Sequence, residues 1–371
     1  MTLRLGMACY WSTPAESTWS GTPWMLREAL RDEVDVVDVG PRIAGPVRAA
    51  LKVAGARHTD SGWRSQWRHS RASTRLMARD LARRTSAHRP DVVLQIGDLG
   101  PLDVPYLVLQ DLSYALLLER FGPDGVPHFR TLGRRRVEAL ARRQADIYAR
   151  AAGLLPMSRW LADSLVQHGV DVDKVHVVNP GVNVPVDGLG APPERRRGPV
   201  RRLLMVGKDF DTKGGAQTVG AFAQLRAEFG PAIELTIVGP AQWPMRGEIP
   251  DGVRFLGRRP AAEIPALLDS HDLFVMPSRF EGFGIAFVEA LVRGLPCIGR
   301  DDCAMPEIID PVSGGRLVRS EDPTDLAELV LDALADDRLY AECARLAPDR
   351  RAHYSWSRAA RDVATIAQAA I

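Results

Sequence analysis

From Met276 to Pro306 the chain reads MPSRFEGFGIAFVEALVRGLPCIGRDDCAMP, and the remainder is best understood outward from there. The apolar run Leu273-Phe274-Val275-Met276 gives way to Pro277 and Ser278, as a buried strand does at its carboxyl end. A loop of Arg279, Phe280 and Glu281 follows, and Gly282-Phe283-Gly284 opens a helix. Ile285, Val288, Leu291 and Val292 carry that helix on, with Gly294 as its cap and Pro296 beyond. Strand, glycine-bearing loop and helix start make a cradle for an anion. Glycine lets a phosphate approach the backbone, and the amides from Gly282 to Ile285 attract its charge.

Glu281 stands before the cradle and Glu289 eight residues later, inside the helix. A carboxylate repels a phosphate but accepts hydrogen bonds from sugar hydroxyls, as acidic residues do in dinucleotide sites. Diphosphate and hydroxyls together imply a nucleotide sugar. Each glutamate alone also fits an ordinary surface carboxylate, the usual fate of a charged side chain.

With Pro306-Glu307 and the run from Gly314 to Val318, this segment closely resembles the glutamate-x7-glutamate signature of the family 4 retaining glycosyltransferases, a glycogen-synthase-like group. The resemblance implies an α/β protein of the GT-B fold: two Rossmann-like domains facing across a cleft, with a C-terminal helix packing back on the N-terminal domain. It also implies retaining transfer of a hexosyl group from a nucleoside diphosphate sugar to a hydroxyl acceptor. Glu281 then holds the donor sugar's hydroxyls and Glu289 the ribose.

A second glycine-rich turn supports this. The run from Leu203 to Val206 is followed by Gly207-Lys208-Asp209-Phe210-Asp211-Thr212-Lys213-Gly214-Gly215. Lys208 and Lys213 are mobile positive charges suited to the leaving diphosphate, although the family has arginine where Lys208 stands. An ordinary surface turn is the plainer alternative. Asp209 and Asp211 are spaced like a metal-binding pair, but the flanking lysines repel a cation, so no metal and no other cofactor is expected. The loop around Arg258 resembles the segment lining the nucleotide base. No G-x-x-x-x-G-K-[ST] and no G-x-G-x-x-G occurs, which removes the main supports for an ATPase or a dinucleotide oxidoreductase.

The N-terminal half matches the family in layout. Leu3 to Ala8 reads as a first strand, too short in its apolar part for a signal peptide. Gly21, in the loop after it, would let a sugar phosphate approach, while Trp11, Trp19 and Trp24 fit sugar stacking and plain packing equally well. Tyr106 to Leu109 is a strand that ends at Gln110-Asp111. The family usually carries His-Asp there, so Gln110 replaces a recognisable active-site residue. Asp111 remains a candidate for orienting the acceptor hydroxyl, or else caps the helix near Ser113.

Arginines at 64, 68, 71, 75, 79 and 83 share one face of a helix expected over 63–84, either solvated or laid against an anionic membrane. A further basic helix is expected over 129–150. The expected organisation is an acceptor domain at 1–184, a Pro/Gly/Arg-rich linker at 185–199, a nucleotide-sugar domain at 200–352 and a terminal helix at 353–371.

Composition narrows the classes further. Residues 1–185 hold 25 Lys/Arg against 19 Asp/Glu, within a chain whose net charge of +2 calls for no nucleic acid. Four scattered cysteines suggest neither disulfide framework nor zinc site. No apolar run approaches the ~20 residues of a membrane span. A cytoplasmic protein, peripheral at the inner membrane face if the basic helix binds there, is expected. Two rival readings remain: a nucleotide-sugar epimerase of the same shape, and a non-catalytic nucleotide-sugar-binding protein.

Overall fold

The computed structural model describes residues 3–59, 62–125, 132–186, 188–190, 192 and 200–371. Of the linker expected at 185–199, positions 187, 191 and 193–199 lie outside the described residues, as do 129–131 of the second basic helix. The chain divides into one unit of Met1–Gly181 with Trp356–Ile371 and a second of Val182–Ser355.

The first unit contains strands β1 (Arg4–Ala8), β2 (Asp35–Asp38), β3 (Ala56–Thr59), β4 (Gly62–Ser65), β5 (Val92–Ile96), β6 (Tyr106–Gln110) and β7 (Gly153–Pro156). Five of them form a parallel sheet in the order β2-β1-β5-β6-β7. Every residue of β5, β6 and β7 is buried, because helices cover both faces of such a sheet; hence the unbroken apolar runs. Chain order reverses between β1 and β5, and the loops after those strands flank the crevice where such sheets bind ligands. The terminal helix Trp356–Ala369 packs against helix Thr22–Leu30 and buries Trp356, Ala359, Ala360, Val363 and Ala367.

The helix expected over 63–84 is corrected. Strands β3 and β4 pair antiparallel, a short turn spans Trp67–His69, and the helix runs Arg71–His88. Ser70 sets that start: its hydroxyl accepts from the Ser73 N–H at 3.1 Å. Arg71, Arg75, Arg79 and Arg83 do share an exposed helical face. Arg64 and Arg68 precede the helix and do not belong to it. The second basic helix runs Arg134–Arg150.

The second unit contains β8 (Arg201–Val206), β9 (Ile233–Val238), β10 (Val253–Gly257), β11 (Leu273–Val275), β12 (Cys297–Arg300) and β13 (Gly315–Val318). All run parallel, in the order β10-β9-β8-β11-β12-β13. This is the 3-2-1-4-5-6 order of a dinucleotide-binding sheet, with its reversal between β8 and β11. Helices Gly215–Phe229 and Pro323–Ala335 bury Phe222, Leu225, Leu326 and Val330 against Leu203, Leu235 and Ile237. Elsewhere in this unit, Phe287 of helix Ile285–Leu291 meets Phe274 of β11 edge-on at 5.6 Å.

All four cysteines are buried and none is in a disulfide. Among the described residues no helix is long and apolar enough to cross a membrane.

Candidate functional site

The reversal between β8 and β11 brings together the two glycine-rich loops that the sequence singles out. After β8 the chain turns through Lys208 and Asp209, both exposed, and Asp209 Oδ1 accepts from the Thr212 N–H at 3.1 Å. Lys213 follows, and helix Gly215–Phe229 begins at Gly214, whose φ of +74° only glycine takes without strain. A Cβ on Gly214 would stand 2.3 Å from the Pro277 carbonyl oxygen, so the loop after β11 lies directly against it. The Arg279 N–H donates to the Thr212 carbonyl at 2.8 Å and fastens the two loops together.

Within this junction Lys213 Nζ donates to Glu281 Oε1, and Ser278 Oγ donates to the same oxygen at 3.1 Å. The Lys213 side chain is 23% exposed and that of Glu281 10%. A carboxylate leaves water at this depth only when a positive charge and a hydroxyl replace its hydration. Glu281 is therefore not the solvated loop carboxylate that was its alternative. Lys213, expected against a diphosphate, is held by the acid expected against the sugar.

Gly282, Phe283 and Gly284 are buried, with Ile285 partly so, and Phe283 packs edge-on against Tyr354 at 6.2 Å. Gly284 has φ +91° and precedes the seven-residue helix Ile285–Leu291. The fifteen-residue helix Gly215–Phe229, whose N-terminus carries no side-chain cap, is the longer of the two that start here. The Gly215 amide at its start donates to the Phe210 carbonyl at 2.8 Å, so the anion-attracting amides there begin at Ala216. Gly207 is needed for space, since a Cβ there would lie 2.6 Å from Lys213 Cγ.

Glu289 is partly buried on its helix. Burial pushes its carboxyl up to about 7, against the opposing pull of the Asn183 N–H and the Arg293 guanidinium. Arg258 is exposed on the loop after β10, two strands from β8, away from the lysine–glutamate pair.

In the first unit, Gly21 caps helix Thr22–Leu30 with φ +102°. Trp11 and Trp24 pack edge-on at 6.3 Å, with the Arg27 guanidinium over both rings at 5.9 and 5.3 Å, which makes them packing residues. Trp19 is 41% exposed. Asp111 is partly buried just past β6, and the cap that closes on the Leu116 N–H at 3.1 Å comes from Ser113. Gln110 is 2% exposed and donates to the Tyr148 hydroxyl, so at this position the family's histidine is replaced by a core amide.

Sequence reasoning passed over Arg300. It is 7% exposed at the end of β12, and its guanidinium donates to the carbonyls of Ser320 at 2.8 Å and Pro277 at 3.2 Å and to Gln217 Oε1 at 2.8 Å. It thereby holds the loop that carries Glu281. An arginine ending an apolar tetrapeptide carries no sequence signal of such burial.

The description "glycosyl transferases group 1" matches residues 192–350. The chain is 27% identical over 205 residues to the amylovoran biosynthesis glycosyltransferase AmsK of Erwinia amylovora, covering 50% of this chain and 48% of that protein. It thus spans about half the length of the curated relatives it matches. Sucrose-phosphate synthase from Thermosynechococcus elongatus superposes with a TM-score of 0.68 at 17% identity, over 99% of this chain and 98% of that one. HepE from Anabaena, in complex with UDP and glucose, does so at 0.63 and 15%, over 98% of each. Residues 192–350 thus match the group 1 glycosyl transferases, and with both sheets in Rossmann-like order the chain has the GT-B fold of these solved neighbours.

Proposed function

We propose that this protein moves a hexosyl group from a nucleoside diphosphate sugar to a hydroxyl acceptor, with retention at the anomeric carbon and without a metal. The observation that carries the reading is the Lys213–Glu281 pair at the reversal of the second sheet. Where a cation and an acid share one oxygen contact, a sugar diphosphate can take both. Its phosphates meet Lys213, Lys208 and the amides of Ala216 and Gln217 and of Gly282 to Ile285, and its hydroxyls meet Glu281.

In the transfer, the acceptor oxygen bonds to the anomeric carbon as the bond from that carbon to the diphosphate oxygen breaks. The electron pair leaves with the diphosphate, which also takes the acceptor's proton. Charge building on the leaving group is the main cost. Fixed amides and lysines answer it without reorganising, the role a metal fills elsewhere. Glu289 accepts from the ribose hydroxyls and Arg258 lies toward the base. Asp111 and Gly21 belong to the acceptor side. The UDP and glucose bound by HepE support a donor of this class.

Incubation with a panel of nucleotide sugars tests the reading. Slow release of free sugar, lost in Lys213→Ala and Glu281→Ala, is expected. Conversion to a second sugar nucleotide would instead make the protein an epimerase. Binding without turnover of any donor, with or without acceptors, would make it the non-catalytic protein that the buried Gln110 also suits.

A further inference from the structure

A cavity of about 600 Å³ lies wholly within the first unit, in the size range of small-molecule sites. Its walls are the loop after β1, helix Gly45–Ala54 and the turn after β4. The loop after β1 is also one of the two that flank the ligand crevice of this sheet.

The lining is one-sided in charge. Arg48, Lys52 and Arg68 border the cavity and no Asp or Glu does. Among the described residues none of the three is paired with a carboxylate. Elsewhere in this unit arginines are commonly paired, as Arg42 with Asp38, Arg83 with Asp80 and Arg143 with Asp98. Three cations around one hollow repel one another, and an anion that enters relieves all three at once.

Aromatic walls add a second requirement. The Arg68 guanidinium sits 4.8 Å over the Tyr10 ring and 5.8 Å from the Trp67 ring, and those rings meet edge-on at 5.7 Å. Such stacking holds the guanidinium plane in place. Ser12 and Thr13 supply hydroxyls beside it. His69 also lines the cavity, but burial and the neighbouring Arg136 and Arg68 lower it to about 4, so at neutral pH it brings no charge of its own.

We propose that this cavity binds a phosphate group of the acceptor, so that the protein glycosylates a phosphate-bearing compound. This rests on the transferase reading above and adds its acceptor class. The phosphate belongs to a soluble sugar or polyol phosphate or to a lipid headgroup. The second source has its own support in Val53 and Trp63, 76% and 75% exposed on the flanking helix and hairpin.

Calorimetric titration of the full chain with glycerol 3-phosphate and a hexose 6-phosphate, each beside its neutral parent, tests the proposal. The phosphates should bind at least about tenfold tighter than glycerol and hexose, and each of Arg48→Gln, Lys52→Gln and Arg68→Gln should cost about three- to tenfold. The charge-keeping Lys52→Arg should retain binding, which separates charge from any effect on folding. Vesicles of phosphatidylglycerol, compared with phosphatidylcholine, form the lipid arm. Anionic vesicle binding that the triple glutamine variant loses supports the lipid source, and soluble phosphate binding that it loses supports the other. Equal affinity for phosphates and parents together with no vesicle binding, or any binding that survives in the triple variant, overturns the proposal. Titration with nucleoside diphosphates reads the second unit separately, so the donor reading and the acceptor reading fail independently.

Discussion

Lys213 and Glu281, 68 positions apart in the chain, meet through Nζ and Oε1 at the point where the strand order of the second sheet reverses. Among the described residues neither forms a second ion pair, and Ser278 completes the contact at 3.1 Å. A charge pair sunk to this depth is costly to assemble and stabilises little over an apolar pair. Its placement between two glycine-rich loops is better explained by binding than by stability.

Removing one partner alone should therefore destabilise as well as disable. Lys213→Ala leaves the Glu281 carboxylate without its cation, at a cost of about 2 kcal/mol, below that of a fully buried pair because the lysine is partly exposed. The double variant Lys213→Ala/Glu281→Ala should recover part of that loss while remaining inactive. Chemical denaturation of the three variants measures it, and strictly additive losses would show that the two side chains do not interact in solution.

Glu289 gives the protein a pH dependence with a defined sign. Its folded-state value of about 7 stands above the ordinary 4.5, so its neutral form favours the fold. That contribution is fully present below 4.5 and is lost as the pH rises through 7. Thermal melts from pH 5 to 8.5 should show wild type losing ground to Glu289→Gln as the pH rises. Nucleoside diphosphate affinity should move the opposite way, strengthening with pH in wild type and staying flat in the variant, because the ribose hydroxyls need an ionised acceptor.

Two glycine substitutions separate backbone strain from loop contact. Gly214 and Gly230 both take positive φ, +74° and +55°, but only Gly214 has a neighbour in the way, the Pro277 oxygen at 2.3 Å. Gly230→Ala should cost about 1–3 kcal/mol, the strain of a backbone at φ +55° and ψ −137° that only glycine takes freely. Gly214→Ala should cost clearly more and weaken nucleotide binding at least tenfold, as judged by melting and by titration. Equal effects would mean that the two loops are not pressed together.

Arg300 acts as a positioning residue. Arg300→Lys keeps the charge and loses the fork that spans Pro277, Ser320 and Gln217. Donor KM should rise several-fold with kcat less affected, since the residue holds the loop and does not touch the substrate. Unchanged KM in a stably folded variant would remove it from this role.

Much of the second unit was legible from local pattern. Apolar runs bounded by proline or glycine mark β8 and β11, and Glu281 and Glu289 stand in the loop and the helix expected for them. The first unit was harder. A four-and-three spacing of arginines ran on past the Ser70 cap and hid the strand β4, because periodicity in polar residues does not tell a helix from a strand followed by one. The identities of Gln110 and Arg300 were plain to read, but their burial was not.

Residues near one another in the chain settle strand, turn and cap by their own backbone preferences and side-chain periods, so those features need nothing beyond the order of amino acids. Which loop lies against which depends on strand order, and strand order follows from how helices cover the faces of a parallel sheet. Only folding therefore brought Lys213 to Glu281, put Arg300 beneath Pro277, and gathered Arg48, Lys52 and Arg68 around one hollow.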